Sequence, residues 1–223
     1  MLNWFGRFLS SSIGKKTLMA LTGLGLIGFL VVHLAGNLTL YADDSGEAFN
    51  HYAEVLESNP LLPFAEIGLL VLIVAHIGLG LLVSRENREA RSDGYRIRST
   101  KGRKTFASAS MLATGLIIGL FIAVHVADFR VPKLFGDESV DDLAAAVKRR
   151  LGTPFGAGVY LLGVSALGIH LSHAFKSAFQ TLGVNHPRYS PLIGKISLGL
   201  AVLLFLGFAS FPIYCLVQGG EAH

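Results

Sequence analysis

Residues 18–38 read LMALTGLGLIGFLVVHLAGNL, a run of 21 residues that contains no charged side chain and a single histidine, His33. At a rise of about 1.5 Å per residue, a helix of this length spans the roughly 30 Å hydrocarbon core of a lipid bilayer. The run is longer than the apolar part of a secretory signal peptide, which has about 7 to 15 residues, and no convincing small-residue cleavage site follows it. We therefore expect it to be retained as a transmembrane helix.

Four further segments have the same character. Of the 223 residues, 52% are apolar and 15% are charged, whereas soluble domains have about 45–50% apolar and about 25% charged residues. The predicted fold class is all-α: an integral membrane bundle of five transmembrane helices, forming one domain over residues 1–223 because the crossings use up most of the chain. The spans are predicted at 16–40, 62–83, 105–128, 154–178 and 193–217.

Basic residues predict the orientation of the spans. The segment before the first span, the second connection and the fourth connection together carry fourteen Lys and Arg residues, and the other two connections carry five. Because Lys and Arg accumulate on the cytoplasmic side, we expect the N-terminus inside the cell and the C-terminus outside. The net charge of +4 then reflects topology. The basic second connection is interpreted as a membrane-surface or partner-docking face, and no nucleic-acid partner is expected.

Three short amphipathic segments flank the spans. Residues 1–12 are typical of an interfacial helix that lies at the lipid headgroups. In the first outer connection, Asp44 and Glu47 have the spacing of a capping box, and Ser139 and Asp142 have a similar spacing in the second outer connection. We expect two short surface helices that lie over the outer face as partial lids; a solvated helix without chemistry is the default interpretation for both.

Each of the first four spans carries one histidine toward its C-terminal end: His33, His76, His125 and His170. Consecutive spans run in opposite directions, so the first and third histidines are predicted near the outer face and the other two near the cytoplasmic face. At about 1.5 Å per residue, His33 lies roughly 10 Å from the outer boundary, and His76 and His170 lie roughly 10 to 12 Å from the cytoplasmic boundary. His125 closes the third span and is also predicted near the outer boundary. The sequence therefore predicts two pairs at matched depths, His33 with His125 and His76 with His170.

Two neutral imidazoles at one depth inside lipid are suited to bind one haem iron from both sides, an arrangement that favours electron transfer over oxygen binding. Cys215 is the only cysteine, so covalent haem attachment through a Cys-x-x-Cys-His run is excluded. We predict two b-type haems, each with two axial histidines as iron ligands. Glycines near the histidines fit this hypothesis because they leave room for a flat macrocycle. These are Gly23, Gly25, Gly28, Gly78, Gly80, Gly115, Gly119, Gly163 and Gly168.

Other interpretations of these residues stay open. Intramembrane histidines also serve as hydrogen-bonded packing residues, and glycines allow membrane helices to pack closely. A metal-transport pathway is a further alternative, although cations usually need carboxylates or thiolates beside the imidazoles. The predicted interior has almost none, with Glu66 near the outer start of the second span as the main exception.

Four runs of sequence carry a resemblance to a known family. They are VHLAGNL at 32–38, AHIG at 75–78, TFAS at 105–108 leading to Val124 and His125, and HLSH at 170–173 followed by SAFQTLG at 177–183. With these runs the chain resembles the cytochrome b membrane subunit of succinate dehydrogenases and fumarate reductases, the succinate:quinone oxidoreductases. More narrowly, it is similar to the bacterial single-polypeptide form with five helices and two haems. The four histidines stand where that family places its axial ligands.

The resemblance implies a role inside a respiratory complex of the bacterial cytoplasmic membrane. A flavoprotein subunit with FAD oxidises succinate, and an iron–sulfur subunit carries the electrons to the membrane. This subunit then passes them through the inner and the outer haem to a quinone, with menaquinone favoured; fumarate reduction runs the path backwards. The succinate site is on another subunit, and this chain has no catalytic residue of its own. The basic second connection and the N-terminal segment are predicted to dock the iron–sulfur subunit.

Contacts to the haem periphery are a further prediction. Guanidinium and ammonium groups suit carboxylate partners, so basic residues near each haem are candidates for binding its propionates. His173 lies about one helical turn after His170 and is either an alternative ligand or a neighbour of the inner propionates. The basic candidates are Arg98, Arg103 and Lys104 at the inner haem and Arg130 at the outer haem.

A quinone needs an apolar slot, a hydrogen-bond partner for each carbonyl and a proton route to water. The sequence offers two candidate sets and does not choose between them. They are Asn37, Tyr41, His51, Glu54 and Glu66 near the outer haem, and Ser10, Ser11, Ser12 and Lys15 near the inner face.

Two other classes of function stay open. A di-haem cytochrome b of another quinone-linked complex, of the nitrate reductase or hydrogenase type, would share five spans and bis-histidine ligation. A haem-free membrane anchor or transporter would lack the cofactor. An absorption spectrum separates the haem proteins from the anchor, and the identity of the co-purifying subunits separates the haem proteins from each other.

Overall fold

The computed structural model describes residues 2–89 and 106–220, and every regular element in these ranges is helical. Five helices are long and apolar enough to cross a membrane, namely α2, α4, α5, α7 and α8. The predicted all-α architecture of a multi-pass membrane protein is confirmed, while the orientation of its ends stays a prediction. The helices are α1 (Leu2–Ser10), α2 (Ser12–Asn37), α3 (Glu47–Glu57), α4 (Leu62–Glu89), α5 (Phe106–Leu134), α6 (Leu143–Leu151), α7 (Pro154–Thr181) and α8 (Ser190–Gly220), with 3-10 turns at Leu38–Tyr41 and Glu138–Val140.

Two spans extend beyond their predicted ends by six residues each. The last turns of α4 contain an ion pair between Arg85 and Glu89, 2.8 Å apart and one helical turn from each other. At the end of α5, Lys133 lies 3.3 Å from Glu57 of α3. Hydropathy predicts where lipid ends, whereas a helix continues as long as its backbone groups remain bonded to each other and its charged side chains reach water.

Side chains that precede two spans explain where those helices begin. The hydroxyl of Ser11 accepts a hydrogen bond from the amide of Gly14 at 3.0 Å, and Thr153 does the same for Gly156 at 3.0 Å. Pro154 follows Thr153 as the first residue of α7, a position where the missing N–H costs nothing. Both caps satisfy backbone donors that a helix start leaves unpaired.

Four spans form a closed ring in which α2 packs against α4, α4 against α5, α5 against α7, and α7 against α2. The fifth span, α8, packs outside the ring against α7 and α2. Consequently α2 and α5 are diagonal to each other across the ring, and so are α4 and α7. The contact with α8 is close: Leu204 is fully buried, and a Cβ added at Gly207 would lie 2.6 Å from the side chain of Leu34.

The helices α3 and α6 cover one end of the bundle, here named the α3/α6 end; the opposite end, where α1 packs on the start of α2, is named the α1 end. Asn50 of α3 joins the two helices, because its amide donates to Asp142 at 2.9 Å and its carbonyl accepts from the amide of Ala144 at 2.9 Å. The two predicted surface helices are therefore present, and they form one connected layer.

The predicted cap of α3 needs correction. Asp43, and not Asp44, accepts hydrogen bonds from the first amides of α3 and from Gly46, at 2.5 to 3.0 Å. Gly46 has a φ of +86°, a left-handed conformation that turns the chain so that the carboxylate of Asp43 faces the helix start. The hydroxyl of Ser45 and these amides lower the pKa of Asp43 to about 2. Asp44 uses its carbonyl oxygen, which accepts from Lys148 at 2.7 Å.

Of the two residues predicted to cap α6, Ser139 and Asp142, only Asp142 does so. Asp142 precedes the helix and accepts a hydrogen bond from the amide of Ala145 at 2.9 Å, which together with a bond from Asn50 lowers the pKa of its carboxyl. Ser139 lies in the preceding 3-10 turn, where its carbonyl oxygen accepts from Arg149 at 2.8 Å. Spacing along the chain did not reveal that a 3-10 turn carries Ser139 away from the helix start.

Candidate functional site

The four histidines of the spans occupy two levels of the ring. His33 on α2 and His125 on α5 lie toward the α3/α6 end, and His76 on α4 and His170 on α7 lie toward the α1 end. Each pair comes from helices that are diagonal across the ring. The two histidines of a pair therefore come from opposite sides of the bundle interior, and not from two helices that pack directly against each other.

His33 and His125 have ring centroids 5.8 Å apart, with an angle of 84° between the ring planes. A coordinated imidazole nitrogen lies about 2 Å from its metal, so each ring centroid is about 3 Å away and two opposed imidazoles have centroids about 6 Å apart. The separation of this pair is one that two imidazoles bound to a single metal would also have, and it lies in the usual range of aromatic contacts as well. Aromatic rings surround the pair: Phe29 and Phe208 at His33, and Phe121, Phe129 and Tyr160 at His125.

His76 and His170 form the second pair and are close enough for their charges to interact. The imidazole of His76 lies against α2, with its Nδ1 3.1 Å from the hydroxyl oxygen of Thr22. The neighbouring Gly23 makes this contact possible, since a Cβ there would lie 3.0 Å from Cε1 of the ring.

His170 repeats this arrangement on α5. Its Nδ1 is 3.2 Å from the hydroxyl oxygen of Thr114, and a Cβ added at Gly115 would lie 3.6 Å from the ring. His173 is partly buried and within electrostatic reach of His170 and Lys176. Thr114 and Gly115 therefore contact His170 and not His173. This favours His170 as the histidine that faces the interior of the bundle.

The network beside His125 was not predicted from the sequence. Asp128 accepts hydrogen bonds from Nε of Arg150 at 2.8 Å and from the hydroxyl of Tyr160 at 2.9 Å. Tyr160 in turn places its ring 5.9 Å from the ring of His125. An acidic residue one turn after a ligand candidate, inside an apolar span, was the signal that could have pointed to this network.

Among the side chains that the structure describes, two buried nitrogens lack a hydrogen-bond partner, and both belong to α5: Nδ1 of His125 and Nε of Arg130. Leaving a buried polar group unpaired costs about 1–3 kcal/mol, so such groups often mark a functional site. An unpaired imidazole nitrogen one to two turns from an unpaired guanidinium nitrogen fits a ligand with a metal centre and an anionic rim. The residues present therefore fit a haem with its propionates.

Arg130 also has a partner within the chain, because its Nη2 lies 2.7 Å from Glu66 of α4. Its predicted role at a propionate is thus limited to the remaining Nε. Glu66, which the sequence offered both as a quinone contact and as the exceptional carboxylate of the interior, is engaged in this ion pair. The other predicted propionate partners, Arg98, Arg103 and Lys104, lie outside the described residues, as does most of the basic second connection.

The other candidate quinone residues are scattered. Asn37 donates to the carbonyl of His33 at 2.7 Å, and the hydroxyl of Tyr41 is 2.8 Å from that of Ser210. His51 and Glu54 line an open depression of about 370 Å³ on the α3/α6 layer. At the α1 end, Ser11 caps α2, Ser10 donates to a backbone carbonyl, and Lys15 is paired with Glu86.

The glycines have several roles. Gly23 and Gly115 border histidine rings, as described above. Gly163 and Gly168 instead border the rings of Phe121 and Phe205, and Gly25 and Gly119 border aliphatic side chains. A Cβ added at Gly28, Gly78 or Gly80 would meet nothing within 4 Å. Only part of the predicted set therefore lies at the histidines, and helix packing accounts for much of the rest.

The sequence contains a repeat that matches the two halves of this site. The pattern Met-x2-Thr-Gly-x5-Phe-x3-His occurs at residues 19–33 and again at residues 111–125. The two copies have the same contacts in the structure. The Thr of each copy contacts a histidine of the following span, Thr22 with His76 and Thr114 with His170. The last residue of each copy, His33 or His125, belongs to the pair at the α3/α6 end. Internal comparison of the spans could have found this signal.

Within the described ranges no group of three or more His, Cys, Asp or Glu side chains is arranged to hold a metal ion. Comparison with family models, curated proteins and solved structures found no match. Fold and site thus define the class: an all-helical membrane bundle that carries paired histidines at two levels.

Proposed function

We propose that this chain is the membrane subunit of a succinate:quinone oxidoreductase and carries two b-type haems between an iron–sulfur subunit and quinone. The observation that carries the proposal is the pairing of imidazoles from diagonal helices at two levels of one bundle. Packing alone does not favour such pairs, because a histidine needs only one hydrogen-bond partner on a neighbouring helix.

The residues of the chain bind and insulate the cofactors in this proposal. His33 with His125 would hold one haem and His76 with His170 the other; bound haem supplies one-electron oxidation and reduction. The aromatic side chains around the first pair exclude water from it. Nε of Arg130, buried and without a partner, is available to a propionate.

The partners are proposed from the distribution of charge and from the family resemblance. The iron–sulfur subunit, itself bound to a flavoprotein subunit, would dock at the α1 end, where the basic second connection meets the membrane. Quinone, with menaquinone favoured, would then react near the opposite haem. The depression lined by His51 and Glu54 opens on that side, and these two titratable side chains would supply a proton route to water.

The test is the haem content and the partners of the purified full chain. We expect about two b-type haems per chain in the reduced-minus-oxidised spectrum, co-purifying flavoprotein and iron–sulfur subunits, and electron transfer from succinate to quinone. His186→Ala is a control for the histidine variants, because His186 is an exposed histidine in the connection before α8 and its loss should leave both haems in place. A preparation without haem would reject the proposal, and two haems with unrelated partner subunits would move the chain to another quinone-linked complex.

A further inference from the structure

The threonines that contact His76 and His170 have their only hydroxyl proton already in use. Thr22 donates from Oγ1 to the carbonyl of Leu18 at 2.9 Å, with the carbonyl of Met19 at 3.1 Å as a second acceptor. A hydroxyl has one proton and two lone pairs. With this proton on the carbonyl of Leu18, the oxygen of Thr22 turns a lone pair toward Nδ1 of His76, 3.1 Å away, and accepts a hydrogen bond from it.

A second acceptor reaches the same imidazole. The carbonyl oxygen of Met19 also interacts with His76, and a carbonyl oxygen has no proton to give. Both groups that α2 presents to the ring are thus acceptors. This arrangement favours a proton on Nδ1 of His76, the nitrogen beside Thr22, and leaves Nε2 with a free lone pair.

The second half of the bundle has the same chemistry. Thr114 donates to the carbonyl of Ser110 at 2.9 Å, with the carbonyl of Met111 at 3.1 Å as its second acceptor, and its oxygen lies 3.2 Å from Nδ1 of His170. Met111 also interacts with the ring of His170. Two independent helix pairs therefore impose the same proton position on their histidines.

We propose that Thr22 and Thr114 are positioning residues that hold His76 and His170 in the Nδ1–H tautomer and so present Nε2 as the ligating nitrogen. The proton position follows from the contacts alone, while the identity of the ligand, haem iron, rests on the proposed function. A ring nitrogen held by an outer partner fixes both the orientation and the tautomer of a metal ligand.

The two levels of the bundle then differ in chemistry. At the α3/α6 end, Nδ1 of His125 is buried without a partner, and His33 is held by stacking on Phe29 with centroids 5.2 Å apart. At the α1 end, both histidines are held by hydrogen bonds. Only the α1-end site is therefore expected to depend on a hydroxyl group.

The first experiment reads the proton position without haem. The full chain is labelled with ¹⁵N-histidine, prepared under haem limitation and measured by NMR at mildly alkaline pH, with His76→Gln and His170→Gln used to assign the signals. We expect protonated Nδ1 and unprotonated Nε2 at both residues. The opposite tautomer at either residue, or an even mixture, would overturn the proposal even if the chain binds two haems.

The second experiment titrates haem into variants of the full chain. Thr22→Val and Thr114→Val keep the side-chain shape but lose the acceptor, and we expect about 10–100-fold weaker haem binding at the α1-end site with an altered low-spin spectrum of that haem only. Thr22→Ser and Thr114→Ser should restore both. Thr181→Val is the control, since Thr181 donates to the carbonyl of Ser177 at 2.9 Å in the same way and, among the described residues, its hydroxyl bonds no histidine.

The outcomes separate the two proposals. A chain that shows the expected tautomers but binds no haem would reject the proposed function and leave the proton position standing. Unchanged haem affinity and spectrum in both valine variants, with two haems bound, would reject the positioning role of the threonines and leave the proposed function intact.

Discussion

Gly163 of α7 lies where Phe121 of α5 crosses it, one helical turn from the His33–His125 pair. A Cβ added at Gly163 would be 2.3 Å from Cγ of Phe121, whereas carbon atoms in contact are normally about 3.5–4.0 Å apart. In Gly163→Ala the ring of Phe121 must therefore move by more than about 1 Å. It has little room, because it packs against Tyr160 with centroids 5.1 Å apart and against His125 at 6.0 Å.

The expected cost of this substitution is that of overpacking, about 1–3 kcal/mol. Part of it is offset, since alanine is about 1 kcal/mol better than glycine inside a helix. Gly158→Ala separates the two effects: Gly158 is on the same helix, exposed, and a Cβ there would meet nothing within 4 Å. Both variants gain the same helix propensity, so their difference is the steric cost alone.

The assay is the free energy of unfolding in mixed detergent micelles, measured for the unmodified chain and for both variants. We expect Gly163→Ala to be about 1–3 kcal/mol less stable than Gly158→Ala. Equal stabilities within about 0.5 kcal/mol would refute the reasoning, because they would mean that Phe121 does not fill the space beside Gly163.

Three further predictions concern the site and its surroundings. His76→Ala should remove the α1-end haem and leave the other visible in difference spectra, and His33→Ala should do the reverse, because each histidine serves one level of the bundle. Tyr160→Phe should lower the free energy of unfolding by about 1.5–3 kcal/mol in the same micelle assay, since it removes a hydrogen bond to the partly buried carboxylate of Asp128. Asp43→Ala should reduce hydrogen-exchange protection at the start of α3. The unmodified protein should lose the same protection as pH falls from about 4 to about 2. The pKa of Asp43 is about 2 in the folded state and about 3.9 in the unfolded state, so its ionised carboxylate stabilises the fold fully above about pH 4. This stabilisation is lost as the pH falls through the folded pKa.

Each of these predictions has a control and a contradicting result. Loss of a single haem from the His33→Ala and His76→Ala double variant would contradict the pairing. Tyr189 is exposed, so Tyr189→Phe should change the free energy of unfolding little. A loss equal to that of Tyr160→Phe would show that the hydrogen bond to Asp128 is not the cause. For α3 the control is Asp44→Ala, whose carboxylate is not the cap; a larger effect than that of Asp43→Ala would mean that the structure assigns the cap to the wrong residue.

The histidines show how far sequence reasoning reached. Their positions within the spans gave two levels, and the structure has His33 beside His125 at one of them. The sequence did not show that Thr22 and Thr114 hold the other two histidines, because those contacts join residues 54 and 56 positions apart through the rotation of neighbouring helices. Spacing along one helix predicts a depth, and it does not predict which face a neighbouring helix presents.

Arg130 and Asp43 show the same limit at charged residues. Arg130 was predicted as a propionate partner on depth and charge, and the carboxylate of Glu66, which is 64 positions away, occupies one side of its guanidinium group. At α3 the capping-box spacing favoured Asp44, but a left-handed glycine turned the chain so that Asp43 became the cap. In both cases the deciding contact depended on backbone direction in three dimensions.

The sequence by itself determined the five membrane helices and the position of each histidine along its helix, because hydropathy and a fixed rise per residue are properties read along a single chain. Only the tertiary structure decided that α2 faces α5 and that α4 faces α7 across the ring, and which hydroxyl and carboxylate groups meet the histidines and arginines there. The physical reason is that lipid solvates every apolar helix face almost equally, so the rotation and neighbours of each helix are set by close packing and polar contacts between helices.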